Sequence, residues 1–247
     1  GDVLLATTDE GRSWRISSAG VGMFLDAAID ALDELVTVGD EIHRSSDHAN
    51  SVVQIFGGEF SQVEMSSIST GWALDRGLLL TVNQGERGLR QPIPDSADRL
   101  ARIAARGDYE IWLHFEGPAG PRSYYSGNRG ADYDELDLAG ALRGLRGWSF
   151  PEPGIGWAWA DSAVFRSQND GVDWDRVHTA PEAITAMAVR DSLDAVLATR
   201  TRFILTRDGG RTWAAWESPR AAVVRTLCWG DADRFVAAGW GISTLRA

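Results

Sequence analysis

The chain has no lysine: all 24 of its basic side chains are arginine, a pattern of GC-rich coding before it is one of function. It has a single cysteine, Cys228. That excludes an internal disulfide framework, and its apolar neighbours place it in a core. A basic surplus is also missing. Thirty-five acidic residues against 24 basic ones give a formal net charge of −11, which argues against a nucleic-acid partner, because phosphates need a basic surface. The longest apolar runs fall far short of the roughly 18 residues of a membrane span, so no membrane insertion is expected. No charged-then-apolar leader opens the sequence, so the expected location is cytoplasmic by default, with an exported mature form as the alternative. No Gly-x-Ser-x-Gly elbow and no phosphate-binding glycine loop occur. What remains is ordinary globular composition over 247 residues, 44% apolar and 24% charged.

What is present is an internal repeat. Thr7–Trp14 (TTDEGRSW), Ser167–Trp174 (SQNDGVDW) and Thr206–Trp213 (TRDGGRTW) share the template [Ser/Thr]-x-[Asp/Asn]-x-Gly-x-[Ser/Thr/Asp]-Trp. Weaker copies run through Ser126, Asn128, Gly130, Asp132 and Tyr133, through Ser45, Asp47, Ala49, Ser51 and Val52, and through Thr81, Asn83 and Gly85. The central acid or amide stands at Asp9, Asp47, Asn83, Asn128, Asn169 and Asp208, in steps of 38, 36, 45, 41 and 39 residues. Each position has a physical task. The Asp or Asn side chain can bond backbone two residues on and close a turn. The glycine permits positive φ. The hydroxyls bond neighbouring backbone groups. The tryptophan re-enters a strand and buries a large ring. Apolar strands flank the octets, so each reads as a hairpin corner. Calcium is the rival reading of NDGVD, but an EF-hand needs more acids, a glutamate at the twelfth position and flanking helices. No metal and no cofactor are expected.

These octets resemble the Asp-box, the bacterial neuraminidase repeat. The resemblance implies a β-propeller in which the box lies between the third and fourth strands of a blade. It makes Asp9, Asp47, Asn83, Asn128, Asn169, Asp208, Trp14, Trp174 and Trp213 structural residues. A narrower likeness adds to it. Gly71–Gly85 (GWALDRGLLLTVNQG) and Gly156–Gly171 (GWAWADSAVFRSQNDG) place Gly-Trp-Ala about a dozen residues before a box. That pattern resembles the repeat of the photosystem II stability/assembly factor family.

A unit near 40 residues holds four short strands, as a propeller blade does. From Asp208 around to Asp9 is 39 + 9 = 48 residues, one blade plus about one strand. The expectation is therefore an all-β, six-bladed β-propeller of Asp-box type, one domain over residues 1–247, with seven blades as the alternative. Its last blade takes VVRTLCW and FVAAG from the C-terminus and SWRISS from the N-terminus. Both GISTLRA and DVLLATT resemble its third strand. Such sharing leaves no open sheet edge. Two stretches argue locally for helix: Leu25, Ile29, Leu32 and Leu35 at helical spacing, and DSADRLARIAAR. The repeat frame outweighs both. Residues 134–144 form the longest insert between blades.

Propellers bind ligands near the axis, on the innermost strands. Those are expected near 24–29, 63–68, 100–105, 142–148, 183–189 and 224–229. They carry Asp26, Glu64, Arg102, Arg143, Arg146 and Arg225 as candidate ligand-binding residues, with Thr185 beside them. Arginines with a few acids suit an anionic or sugar-like ligand. The alternative is that these groups pair with each other around a water-filled axis. Sialidases carry the same boxes, but glycoside hydrolysis needs two suitably spaced carboxyls or a tyrosine nucleophile backed by an acid. Here WRISS lacks the proline of the sialidase Arg-Ile-Pro motif, and QPIP lacks its arginine. Tyr109, Tyr124, Tyr125 and Tyr133 are the available phenols, and Tyr133 fills a box tryptophan site. The histidines, His43, His48, His114 and His178, share no ligand spacing beyond His43 and His48, which straddle a corner. Trp72 and Trp157 recur at one repeat position and read as blade core. Trp112, Trp159, Trp216 and Trp240 are freer, and an exposed pair among them would suit sugar or peptide binding.

Two functions follow. The first is a non-catalytic binding or assembly scaffold, monomeric, docking a protein, peptide or carbohydrate at the axial face. The second is a carbohydrate-active enzyme, glycoside hydrolase or lyase, with sialidase-like architecture. No catalytic residue is assigned.

Overall fold

The computed structural model describes residues 5–6, 15–16, 24–29, 35–39, 41–47, 51, 53–67, 69–83, 86–94, 98–138, 142–217, 224–229, 234–239 and 241–246. These form strands and turns, with no helix among them. Leu25 and Ile29 lie on one strand and Leu35 on the next, and residues 99–106 of the second candidate helix are extended. Strand pairing therefore overrides the local helical spacing.

The chain divides into two compact units, residues 1–137 and 138–247. In the first, β1 (Leu5–Ala6) pairs with β2 (Arg15–Ile16). Three four-stranded antiparallel meanders follow. The first comprises β3 (Phe24–Ile29), β4 (Leu35–Gly39), β5 (Glu41–Ser45) and β6 (Val53–Gly57). The second comprises β7 (Gln62–Met65), β8 (Gly71–Leu74), β9 (Leu78–Thr81) and β10 (Leu89–Gln91). The third comprises β11 (Arg99–Arg106), β12 (Glu110–Glu116), β13 (Arg122–Ser126) and β14 (Asp134–Leu136). The second unit holds two more four-stranded meanders. One is built of β15 (Leu145–Glu152), β16 (Ile155–Ala160), β17 (Ala163–Ser167) and β18 (Asp175–Thr179). The other is built of β19 (Ala186–Val189), β20 (Ala195–Ala198), β21 (Arg202–Thr206) and β22 (Ala214–Glu217). A three-stranded sheet of β23 (Val224–Trp229), β24 (Arg234–Gly239) and β25 (Gly241–Arg246) closes the series. Of the two candidates for its third strand, the C-terminal GISTLRA holds the place beside β24, while Leu5–Ala6 pairs with β2.

Strand order within each sheet follows chain order, so the first and fourth strands are edges. Burial explains the composition. Strands β8 and β20 are buried at every position, because both sheet faces are covered by neighbouring sheets. Their sequences GWAL and AVLA therefore show no polar alternation. Trp72, Leu74, Leu78 and Leu80 pack on Leu100, Ile103, Ile111, Leu113 and Phe115. Trp157 and Val164 pack on Met187, Leu197 and Ile204 in the second unit. The fourth strands are short and largely exposed, as protected edges should be. Trp112, read above as a freer ring, is fully buried on β12, and Trp159 and Trp216 are half-buried. Trp216 stacks on Phe203, with centroids 6.0 Å apart. Trp240 lies outside the described residues. Cys228 corrects another expectation: it is exposed on β23, not in a core.

Among the described residues, the repeated octets are corners between third and fourth strands. Their hydrogen bonds repeat almost atom for atom. The leading hydroxyl donates to the acid or amide two residues on: Ser45, Thr81, Ser126, Ser167 and Thr206 reach Asp47, Asn83, Asn128, Asn169 and Asp208 at 2.8–3.0 Å. The same hydroxyl oxygen accepts the N–H of Gly130, Gly171 and Gly210 at 2.8–2.9 Å. The Asp or Asn Oδ1 accepts a backbone N–H four residues on, from Ser51, Arg87, Asp132, Asp173 and Thr212. That corrects the expected span of two. The final polar pair matches in chemistry. Ser51 and Thr212 donate hydroxyls to the carboxylates of Asp47 and Asp208, whereas the amides of Asn128 and Asn169 donate to Asp132 and Asp173. The Thr212 hydroxyl and N–H hold the Asp208 carboxyl down at about 2. Asp9 and Trp14 of the first octet lie outside the described residues.

Two consecutive positive φ values turn each full corner: Arg129 and Gly130, Asp170 and Gly171, Gly209 and Gly210. At the second position a Cβ would sit 3.1 Å from the Phe150 ring in one corner and 3.0 Å from Val177 in another, so glycine is required twice over. The first residue of each pair donates its N–H to the turn after the first strand of its own sheet, at Tyr109, Gly154 and Leu193 carbonyls. The indoles of Trp174 and Trp213 bond Gly171 O and Gly210 O at 2.9 and 3.0 Å. Tyr133, in the tryptophan position, bonds Pro92 O instead at 3.2 Å. Burial pushes its phenol up to about 12.

Trp72 and Trp157, equivalent in the repeat, differ in one respect. Trp157 Nε1 donates to Asp191 O at 3.3 Å, while buried Trp72 Nε1 has no partner among the described residues. Trp157→Phe should therefore destabilise by about 1 kcal/mol more than Trp72→Phe, read by urea unfolding. Equal losses would show that the indole N–H is energetically silent.

Candidate binding surface on the first strands

Asp26, Glu64, Arg102, Arg146 and Arg225 lie on the first strands of five sheets, and Arg143 precedes one of them. Four of these strands share a defect. The register slips one residue at Leu25 in β3, Ala101 in β11, Arg146 in β15 and Arg225 in β23. A bulge at a sheet edge re-aims a side chain and interrupts pairing. Two of the candidate arginines, Arg146 and Arg225, are themselves the extra residues.

In the first unit, Gln62 of β7 joins two sheets. Its amide accepts from Ile103 N at 3.0 Å and donates to Ile103 O at 2.9 Å, just past the β11 bulge. It thereby occupies edge groups that face away from β12. The same Nε2 also reaches Glu64 Oε1 at 3.1 Å, so Glu64 is tied to the seam. Arg102 is half-buried and donates Nη1 to its neighbour's carbonyl, Ala101 O, at 2.6 Å. Asp26 lies on β3 opposite Val38, and its side chain is outside the described set.

In the second unit, β19 is flanked by β15 and β23. Arg143 lies in the turn before β15 and is exposed, as are Arg146 and Arg225. Thr185 is structural: its N–H and hydroxyl both donate to Ala198 O. Glu182, the acid in the same linker, is spent on Thr201, whose hydroxyl and N–H reach it at 2.8 and 3.2 Å. The Thr201 hydroxyl bond holds its carboxyl below the usual range. On the other edge of β19, Trp229 of β23 donates Nε1 to Ala188 O at 3.2 Å. Gln62 and Trp229 were not singled out from the sequence. The one signal was a polar head at the start of an apolar strand.

The described residues bear on catalysis in two places. No group of three potential metal ligands occurs among them. One phenol meets an acid: Tyr125 Oη donates to Glu110 Oε1 at 2.8 Å. Arg106 grips the same carboxylate twice, at 2.7 and 2.6 Å. The Arg106 bond is the main force holding that carboxyl below its ordinary range. A carboxylate so clamped is a weak base.

Successive four-stranded antiparallel meanders, packed face to face within each unit and opened by an edge strand, define the class: the fold is that of the β-propellers. Solved structures agree. YCF48 bound to D1 peptide is 16% identical, with a TM-score of 0.57, over 73% of this chain and 60% of that one. A catalytically inactive virginiamycin B lyase from Staphylococcus aureus with quinupristin is 9% identical, with a TM-score of 0.74, over 96% of this chain and 84% of the lyase. The GH74 xyloglucanase from Xanthomonas campestris is 14% identical, with a TM-score of 0.66, over 96% of this chain and 46% of the enzyme. The chain therefore spans three-fifths of the YCF48 chain and under half of the xyloglucanase. No protein-family model matches the sequence, and no curated protein matches it.

Proposed function

We propose that this chain is a binding module, not an enzyme: a β-propeller that docks an acidic peptide segment of a partner protein at the entry of its first strands. The observation that carries this reading is the exposure of Arg143, Arg146 and Arg225 there, two of them set on bulges, in a protein of net charge −11. A local arginine set on an acidic molecule selects anions against its own background. The peptide-bound YCF48 structure supports the peptide part. In the same reading the corners are Asp-boxes, and the six first strands open six blades of one domain over 1–247, the last closed by both termini. The protein acts as a monomer without metal or cofactor.

The xyloglucanase neighbour favours a second reading, a carbohydrate-active enzyme. Tyr125 with Glu110 is the dyad it would use, and the Arg106 clamp counts against it.

The test is a thermal-shift and calorimetric screen of glutamate-rich peptides, neutral peptides and xyloglucan oligosaccharides. Acidic peptides should bind. Arg146→Glu with Arg225→Glu should weaken that binding roughly tenfold or more for each charge-assisted bond lost. Binding that survives both changes, or a response to oligosaccharide alone, would overturn the reading.

A further inference from the structure

We propose that His178 is a pH-sensitive latch between β18 and the corner of the next sheet, Thr206–Trp213. The imidazole stacks on Trp213 with centroids 4.6 Å apart and planes 26° from parallel. Its Nε2 is buried and has no hydrogen-bond partner among the described residues. Beside it, Val177 closes on Gly210, where a Cβ would lie 3.0 Å away. Trp213 is fixed from two further sides, by its bond to Gly210 O and by an edge contact with Trp157 at 6.4 Å. The imidazole therefore fills a tight slot between two sheets of the same unit.

The slot is lined by groups that do not answer a proton. Opposite His178 on β17 stands Val164. The charged side chains on the packed elements have other duties or face solvent. Arg166 bonds Ser192 O and lies over Trp157. Arg207 pairs with Asp194, and Asp208 is held by Thr206 and Thr212. Asp175, Arg176 and Arg211 are exposed, and the half-buried Glu182 holds Thr201. Burial alone lowers the proton affinity of His178. Residues nine places past the box acid touch the next corner elsewhere too. Phe56 lies 2.8 Å from where a Gly88 Cβ would stand, and Pro92 offers its carbonyl to Tyr133. Neither titrates. His178 puts an ionisable ring at that joint.

The sign follows from burial. The folded pKa lies below the free value near 6.5, so the latch is intact above that pH. As pH falls through it, the open form gains a proton that the closed form resists, and the joint loosens. Opening should grow by up to roughly tenfold per pH unit until the folded pKa is reached.

Hydrogen exchange and tryptophan emission, followed from pH 7.5 to 4.5, test the latch. In the wild type, amides of 175–179 and 207–214 should exchange faster on acidification, after correction for intrinsic rates. Emission should change in step. His178→Phe, which copies Phe56, should abolish the pH dependence at both segments while melting normally at pH 7.5. His178→Gln serves if the phenylalanine does not fold. Trp213→Phe should keep the exchange response and lose the emission response. A wild type without acid-enhanced exchange at these segments, or a His178 variant that keeps it, would sink the latch.

Discussion

Thr206→Val should destabilise the protein by about 1–3 kcal/mol, although it exchanges near-equal volumes and leaves every apolar contact of the corner in place. Thr206 is 1% exposed. Its Oγ1 donates to Asp208 Oδ1 at 2.9 Å and accepts from Gly210 N at 2.9 Å. Valine removes both bonds. The Gly210 N–H is then orphaned in a buried place, and desolvating an unpaired donor is the dominant cost. Equilibrium urea unfolding measures the loss, and a slope m that stays constant assigns it to the native state. Ser167→Ala should behave alike, because Ser167 accepts from Gly171 and donates to Asn169 in the same way. Glutamate-rich peptide binding should be retained in both variants, since neither touches the first strands. A loss below a few tenths of a kcal/mol would mean that the corners form without their leading hydroxyl.

These corners were the legible part of the sequence, and the reason is geometric. Two adjacent left-handed residues, a buried hydroxyl and a ring over the turn admit few residue types, so the octet survives from Ser45 to Trp213. The strand pattern was harder. In β8, β12 and β20 both faces are covered, so neither a period of 2 nor one of 3.6 marks them, and Trp112 looked free when it is buried. The first strands fall within a few residues of the expected positions, because each follows a corner motif at a nearly fixed distance. Their bulges were not foreseen. A one-residue slip leaves no signature in composition, and it is the slip that puts Cys228 at the surface of β23 and sets Arg146 and Arg225 as extra residues. Gln62 was invisible for a related reason. Its partner is the backbone of Ile103, 41 residues away, and backbone carries no sequence signal.

Acid should weaken the first unit before its carboxylates are reached, through His114. This imidazole is fully buried on β12, with Nδ1 2.8 Å from Ser123 Oγ. Burial is the main cause that lowers its pKa to about 4; Arg102 and Arg99 add to the shift and Glu116 opposes it. The folded chain therefore keeps the ring neutral, while the unfolded chain protonates it below about 6.5. The unfolded state binds more protons across that window, so stability must fall as pH drops from 6.5 towards 4. At about 1.4 kcal/mol per pH unit, the full window is worth about 3 kcal/mol, a large share of the stability of most domains. His114→Gln should start less stable at pH 7.5 and show a much flatter urea midpoint between pH 6.5 and 4. His178 loosens its own joint below the same free value near 6.5, so the comparison belongs in a His178→Phe background. Asp208 does not confuse the result, because its carboxyl, held at about 2, gives up its contribution only below the window. An unchanged slope in the His114 variant would mean that the buried ring exchanges protons as freely in the folded protein as in the unfolded chain.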